Sequence, residues 1–379
     1  MKLLLITPYF YPKLGGLEKY AYDFSIALKK YFKWNIVVIT SNHKNNSNEI
    51  IYKNGMKIYR LAPLFTFSNT PINPLWYWKI KKIINVEQPD CINAHTPVPF
   101  MADMAGLAAS KIPFLVTYHA FSLYKHNFTI FNFIIKLYKI FEYLLFRKAN
   151  KIILVSDALK ESIPAKFRNK IFIINNSLSL QDIPRYNNHM SKKTQNIVFI
   201  SSLDKTHEWK GLDEILHAIK IYTTKMNNKI ILNVIGDGDS KRYYQHLANK
   251  YGITKQVKFL GKKHGREKYK ILKDSSIGII YPKSSNDAFP TVMLEYWAYS
   301  LAIIASDIMP INKIIKNKKT GYLIKPKNPK KLANAINLLL SNKNKTNEIG
   351  YSGYQELTKK YVLENEIKKF QTLTGSIII

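Results

Sequence analysis

Short runs of apolar, often β-branched residues alternate along this chain with longer segments of helical period. Lys2–Thr7, Asn35–Thr40, Asp90–Ala94, Pro113–Tyr118, Lys151–Val155 and Lys170–Ile174 predict strands in the first half. Between them lie amphipathic segments such as Glu18–Lys30, whose Ala21, Phe24, Ala27 and Leu28 fall on one helical face. That alternation is the sequence form of βαβ units around a parallel sheet. It occurs again: Asn196–Ser201, Lys229–Ile235, Gln256–Leu260, Ile277–Tyr281 and Ala302–Ala305 read as strands, with Leu212–Tyr222 and Thr291–Tyr299 as helices between them. The polar stretch Asn175–Gln195, with Pro184 and an Asn-Asn pair, has the composition of an exposed linker, which places the boundary near Ser191. Two doubly wound α/β domains follow, 1–190 and 191–359. Beyond the helix expected at Pro329–Ser341, the charged segment Asn342–Lys369 predicts one or two amphipathic helices with no strand after them.

Length and composition agree with two globular domains: 379 residues, 46% apolar and 13% aromatic against 22% charged, is not a disordered chain. The one cysteine, Cys91, excludes an internal disulfide framework and a thiolate metal cluster, and fits a reducing, cytosolic setting. The net charge, 58 − 25 = +33, would attract phosphates in nucleic acid, anionic lipid or a small molecule. A lysine-rich, asparagine-rich and isoleucine-rich composition of AT-rich coding origin would give the same excess, and no nucleic-acid recognition motif accompanies it. The opening MKLLLITPYFYPK carries an apolar run closed by Pro8, too short for a secretory signal and without a cleavage site. No apolar stretch reaches spanning length, because Ile130 to Phe146 is broken by Lys136, Lys139 and Glu142.

Candidate chemistry collects where strands give way to helices. Gly15-Gly16 follows the first strand and opens a helix carrying Glu18, a place where backbone amides can meet an anion. It is neither GxGxxG nor GxxxxGK[ST]. His95 and His119 each close a strand, at the edge where open α/β sheets collect ligands. No third ligand stands at metal spacing, and no GxSxG surrounds any serine. In the second half Lys205, His207 and Lys210 lie between a strand and a helix, just before Gly211, a turn whose cations suit a pyrophosphate. Farther on, YPKSSNDAFPTVMLEYWAYSLAIIASD sets Asp287 and Glu295 eight positions apart, the latter in an apolar helix beside Val292, Met293, Leu294 and Trp297. A carboxylate in such surroundings needs a partner or a hydroxyl-rich ligand.

On these motifs the chain resembles a retaining glycosyltransferase of family four, and the resemblance covers nearly its whole length. Asp287 and Glu295, within FPTVMLE and followed by AIIASD, match the family's pair of glutamates separated by seven residues. In order along the chain come Gly15-Gly16, His119 in VTYHA, ANKIILVS ending at Ser156, Lys210-Gly211, VIGDGD at Val234–Asp239 including Gly236, and VKFLGK at Val257–Lys262. Two departures are plain. Asp287 is one methylene shorter than the usual glutamate, and Ser202 stands where the family places an arginine, leaving Lys205 or His207 to substitute for it. Lysine lacks the bidentate fork of arginine.

The resemblance implies the GT-B fold, two Rossmann-like domains facing across a donor and acceptor cleft, with the C-terminal helix, about 360–379, packed back on the first. It implies transfer of a sugar from a nucleoside-diphosphate donor with retention and without a metal or other cofactor. Catalysis would be mostly positioning and charge stabilisation. Lys210, with Lys205, would neutralise the leaving pyrophosphate, while amides around Gly16 and at Phe289, Pro290 and Thr291 hold its oxygens. Glu295 would take the ribose hydroxyls, Asp287 the donor-sugar hydroxyls, and His119 would contact that sugar near the reacting centre. The segment at Lys262 would meet the nucleobase edge.

The acceptor, by the same resemblance, is a saccharide or lipid-linked molecule of surface polysaccharide, lipopolysaccharide or glycolipid synthesis, held against the first domain. Phe131, Ile134, Ile135, Tyr138, Phe141 and Leu145 at helical spacing, near Lys136, Lys139, Arg147 and Lys148, suit either a helix on the sheet or one lying on an anionic membrane. Trp76, Tyr77 and Trp78 ahead of Lys79, Lys81 and Lys82 add to the membrane side. The expected location is cytoplasmic, with possible attachment to the inner face of the membrane. The alternatives are a sugar-nucleotide epimerase or phosphorylase on the same scaffold, a catalytically inactive relative, and a polyanion-binding protein.

Overall fold

Leu3, Leu4, Leu5 and Ile6 are all fully buried, which requires a strand covered on both faces. They belong to β1 (Lys2–Ile6). The structure is a computed structural model that describes residues 1–13, 15–67, 70–119, 129–186, 194–226, 229–285 and 289–378. Met1–Ser179 with Phe289 and Leu363–Ile379 make up one unit, and Leu180–Ser285 with Pro290–Val362 the other.

In the first unit β1 is followed by α1 (Gly16–Phe32), β2 (Asn35–Ser41), β3 (Glu49–Lys53), β4 (Met56–Leu61), a small hairpin of β5 (Phe65–Phe67) and β6 (Thr70–Ile72), and α2 (Trp76–Glu87). Then come β7 (Cys91–Thr96), α3 (Met101–Ala108), β8 (Phe114–Tyr118), α4 (Thr129–Lys148), β9 (Lys151–Leu154) and β10 (Ile171–Ile173). Among the described residues eight strands form one sheet in the order β10-β9-β8-β7-β1-β2-β4-β3. Leu4 pairs with Val37 of β2 on one side and Ile92 of β7 on the other, and all neighbours are parallel except β3 and β4. That antiparallel pair was not among the expected strands. Its turn is Asn54-Gly55 with both residues at positive φ, 50° and 69°, the geometry that matches strand twist in a tight hairpin.

The chain's last helix, α12 (Leu363–Ile378), packs on α1 in this unit. Phe370 is fully buried and meets Phe24 edge-on, with ring centroids 5.0 Å apart. The Leu363 N–H donates to Leu178 O at 2.8 Å, and the Glu366 carboxylate accepts the Asn175 N–H at 2.8 Å. The charged segment is thus divided into two helices, α12 and the α11 described next.

The second unit contains β11 (Asn196–Ile200), α5 (Leu212–Met226), β12 (Ile231–Ile235), α6 (Lys241–Lys250), β13 (Val257–Phe259) and α7 (Gly265–Lys273). It continues with β14 (Ile277–Ile280), α8 (Val292–Ala298), β15 (Ala302–Ser306), α9 (Ile311–Ile314), β16 (Tyr322–Ile324), α10 (Pro329–Ser341) and α11 (Lys343–Lys360). Its six-stranded sheet, β13-β12-β11-β14-β15-β16, is wholly parallel. Proline at the first position of α10 and the Asn328 side chain accepting the Lys331 N–H at 3.0 Å fix that helix's start. α11 lies so close to α8 that a Cβ on Gly353 would fall 2.1 Å from the Trp297 ring. Only glycine fits there.

The aromatic run at α2 does not form one exposed face. Trp76 is fully buried, with its indole N–H donated to Ala62 O at 3.0 Å, so it belongs to the core; Trp78, two residues on, is exposed. On α4, Tyr138 and Leu145 face the interior while Phe141 faces out, so these three do not share a face. Phe131, Ile134 and Ile135 lie outside the described side chains.

Candidate functional site

Each sheet has one point where the chain reverses its direction of winding, and there the loops at the strand carboxyl ends diverge to leave a crevice. In the first unit β1 leads outward through β2 and β4, then the chain returns to β7 on the other side of β1. The residues following β1, β7 and β8 therefore gather at one edge. His119 comes directly after β8, its N–H donated to Thr96 O at 2.9 Å, and His95 sits in β7 opposite Thr117. The His119 Nε2 and His95 Nδ1 atoms share a hydrogen bond of 3.1 Å. Tyr20 of α1 meets the His119 ring edge-on, 5.0 Å between centroids. Burial lowers both imidazoles, His119 to about 3 and His95 well below its ordinary value, with His119 adding repulsion at His95. Both rings are neutral near pH 7.

Gly15 caps α1 with an extended backbone and Gly16 is its first residue. A Cβ at Gly15 would lie 2.3 Å from Glu18 Oε2. The close approach that glycine permits here is thus made by the protein's own carboxylate, folded over the helix N-terminus. Burial raises the Glu18 carboxyl, against opposing effects of its backbone hydrogen bond and the Lys13 ammonium.

In the second unit β11 leads to β12 and β13, and the chain then crosses to β14 on the other side of β11. The crevice position is therefore between β11 and β14. The turn Lys205–Lys210 follows β11, and the Lys283 N–H beyond β14 donates to Trp209 O at 2.7 Å, tying the two loops together. Gly211, at φ 81°, ends the turn, and a Cβ there would lie 2.2 Å from Tyr281 O. Lys210 places its ammonium 4.3 Å from the Trp209 ring centroid. Lys205 is exposed, with its backbone N–H donated to Asp239 Oδ1 at 2.8 Å. Ser202 turns its hydroxyl to Asp204, and His207 lies 3.8 Å from the same carboxylate.

Gly236, at φ 148°, donates its N–H to Gly261 O at 2.9 Å, joining the ends of β12 and β13. A Cβ on Gly236 would fall 1.8 Å from Ser201 O, so this glycine lets the loop after β11 lie against it. Lys262, next to Gly261, is exposed. Phe289 and Pro290 are buried and Thr291 immediately precedes α8. Asp287 lies outside the described residues.

Glu295, in the first turn of α8, finds the partner that its apolar neighbours require in Lys268 of α7. Lys268 Nζ donates to Glu295 Oε1 at 2.9 Å, with both side chains more than four-fifths buried. Oε2 takes no hydrogen bond among the described residues. Sequence reasoning missed Lys268, which reads there as one more lysine of a basic helix.

Two doubly wound units, each with polar side chains at its strand-reversal edge, form the architecture of the GT-B glycosyltransferases. The model of the family described as Glycosyl transferases group 1 matches residues 185–356, and that of Glycosyltransferase Family 4 matches residues 14–182. The chain belongs to this glycosyltransferase family. It is 22% identical to an uncharacterised glycosyltransferase of Methanocaldococcus jannaschii, over 100% of this chain and 99% of the other. It is 23% identical to the O-antigen chain mannosyltransferase C of Escherichia coli, over 100% and 99% respectively. Among solved structures, HepE of Anabaena in complex with UDP matches 99% of this chain and 100% of its own at a TM-score of 0.74 and 16% identity, a likeness of fold.

Proposed function

We propose that this glycosyltransferase moves a hexose from a nucleoside-diphosphate donor, with retention and without a metal, to a saccharide or lipid-linked acceptor of surface polysaccharide or glycolipid synthesis. The observation that carries the donor half is Glu295. Its carboxylate is pinned through one oxygen by Lys268, and the other oxygen is left as an acceptor in a mostly buried setting. Such an oxygen suits a vicinal hydroxyl of ribose, because a hydroxyl donor repays its desolvation. Lys210 and Lys205, beside the β11 and β14 ends, serve the pyrophosphate, and Asp287 the hydroxyls of the donor sugar. In the first unit His119 serves the sugar. The mannosyltransferase and UDP-bound relatives support this class of donor without choosing the base.

The acceptor half rests on α4. Ile140, Phe141 and Leu144 are 61%, 52% and 47% exposed, and Lys136, Arg147 and Lys148 stand exposed beside them. Apolar side chains rimmed by cations suit the headgroup boundary of an anionic bilayer. Among the described residues no helix is long and apolar enough to cross a membrane.

A thermal-shift panel of uridine, guanosine, adenosine and cytidine diphosphates and their sugars, on wild type and Glu295→Ala, tests the donor half. A ligand that binds only the native state raises its melting temperature. A shift for one base that the variant loses is the expected result; no shift for any nucleotide overturns the reading.

A further inference from the structure

His95 is fully buried, and its Nε2 meets no hydrogen-bond partner among the described residues. Its other nitrogen, Nδ1, faces His119 Nε2 at 3.1 Å. Since both rings are neutral, each carries one proton, and only two arrangements satisfy the shared bond. In the first, His119 donates from Nε2. His95 then bears its proton on Nε2, where a buried N–H meets no acceptor among the described residues. In the second, His95 donates from Nδ1, its buried Nε2 is a bare lone pair, and His119 carries its proton on Nδ1. Either defect leaves one buried ring nitrogen unpartnered, and an orphaned N–H is the rarer of the two in folded proteins. The second arrangement is therefore favoured. It is the less common tautomer of an isolated imidazole, so His119 holds it because His95 imposes it.

We propose that His95 is a positioning residue that holds His119 in its Nδ1–H tautomer, so that His119 offers the donor sugar a hydrogen-bond donor from an uncharged ring. This rests on the reading of His119 as a sugar-contacting group. Three features of the fold support it. The pair is built on adjacent parallel strands, with His95 in β7 and His119 directly following β8, so the bond's geometry comes from the sheet. The His119 backbone is anchored by its N–H to Thr96 O, next to His95 in sequence. Tyr20 of α1 packs on both rings, with centroids 5.8 Å from His95 and 5.0 Å from His119, which limits rotation of either. A neutral donor also fits an oxocarbenium-like centre better than an imidazolium would, because it adds no positive charge beside developing positive charge.

The test uses the full-length protein with nitrogen-15 in its histidines, His119→Asn serving to assign the His119 signals. In wild type at neutral pH the His119 Nδ1 resonance is expected in the protonated range and Nε2 in the unprotonated range. In His95→Leu the pattern is expected to move toward the Nε2–H form. His95→Asn, whose amide N–H stands where the Nδ1–H was, is expected to keep the wild-type pattern. Binding and turnover of UDP-glucose, UDP-N-acetylglucosamine and GDP-mannose, each against its bare diphosphate, supply the second readout. His95→Leu should lower turnover on the order of 10- to 100-fold, the scale on which losing a ring-orienting partner acts, with His95→Asn restoring most of it. Affinity for the bare diphosphates should be unchanged. A protonated Nε2 on His119 in wild type overturns the proposal, and needs no variant to fold. Equal turnover in wild type and a folded His95→Leu overturns its functional half. If none of the three sugar nucleotides binds wild type while the tautomer pattern is as expected, the donor reading fails and the His95–His119 coupling stands.

Discussion

Replacing Lys268 by methionine keeps most of the side chain's length and removes the ammonium, both its charge and the hydrogen bond it donates to Glu295. At 2.9 Å the pair's attraction is about 6 kcal/mol for an effective dielectric of ~20 and about 1.4 kcal/mol in bulk water. Side-chain exposures of 16% and 18% place the pair nearer the first limit, yet stripping water from two ions takes back most of that gain. What survives as coupling is expected to be about 1–2 kcal/mol, above the ~0–1 of an exposed pair. The assay is urea denaturation followed by circular dichroism on wild type, Lys268→Met, Glu295→Gln and the double variant. Lys268→Met alone should cost about 2 kcal/mol, since it leaves a mostly buried carboxylate without its cation, and the double variant should cost less than the sum of the singles. A coupling below ~0.3 kcal/mol would refute the reasoning, because the pair would then be solvent-screened and Glu295 would not be held by it. The same variant should lower the thermal shift produced by nucleoside diphosphates, with Lys268→Arg restoring it.

Three further outcomes follow from the same geometry. Gly236→Ala, which drives a Cβ to within 1.8 Å of Ser201 O at φ 148°, should cost about 2–4 kcal/mol in the same urea denaturation; a change under ~0.5 would mean the two loops do not meet there. Histidines in the unfolded chain take up protons near pH 6.5, whereas His119 does so only at about 3 and His95 also well below 6.5, so stability should be lost as pH falls below 6.5. Between pH 7.5 and 5.5 His119 should account for about 1.3 kcal/mol of that loss, and His119→Asn should remove it; equal pH slopes in the two proteins would contradict the neutral pair. Co-sedimentation with anionic vesicles should fall about tenfold in Phe141→Ser/Leu144→Ser and should be screened by salt, while neutral vesicles should bind weakly; binding unaffected by the double substitution would remove α4 as the membrane face.

The strands that sequence patterning finds most readily are those whose faces are both covered, because continuous apolar runs such as Leu3 to Ile6 have no other stable place. The β3–β4 pair escaped although its signal was present. EIIYKNGMKIYRL carries an Asn-Gly turn between alternating residues, a period-2 pattern within a chain otherwise read for buried strands. The aromatic run at Trp76 misleads for a related reason. Tryptophan composition suggests an interface, and only the Ala62 carbonyl, fourteen positions away, shows that its N–H is spent inside the core.

The site divides along the same line, between what is local in sequence and what the sheet brings together. A histidine closing each of two strands could be seen in advance, but that the two rings share a bond depends on β7 and β8 being neighbours in one register. Glu295's need for a partner was legible from its apolar neighbours, and Lys268's identity was not, since it stands 27 positions away on another helix. Gly15 sharpens the point. Glycine before a helix signals that something approaches the backbone closely, but not what, and in this protein it is the Glu18 carboxylate. A ligand phosphate at the α1 N-terminus would therefore have to displace or neutralise that carboxylate. Burial has already raised the Glu18 carboxyl, so the energetic cost of protonating it is smaller than for an exposed glutamate. Glu18→Gln should then strengthen any nucleoside-diphosphate thermal shift that depends on these amides and leave untouched one that depends only on Lys210 and Glu295, which makes a single substitution a discriminator between the two anion sites that the sequence offered.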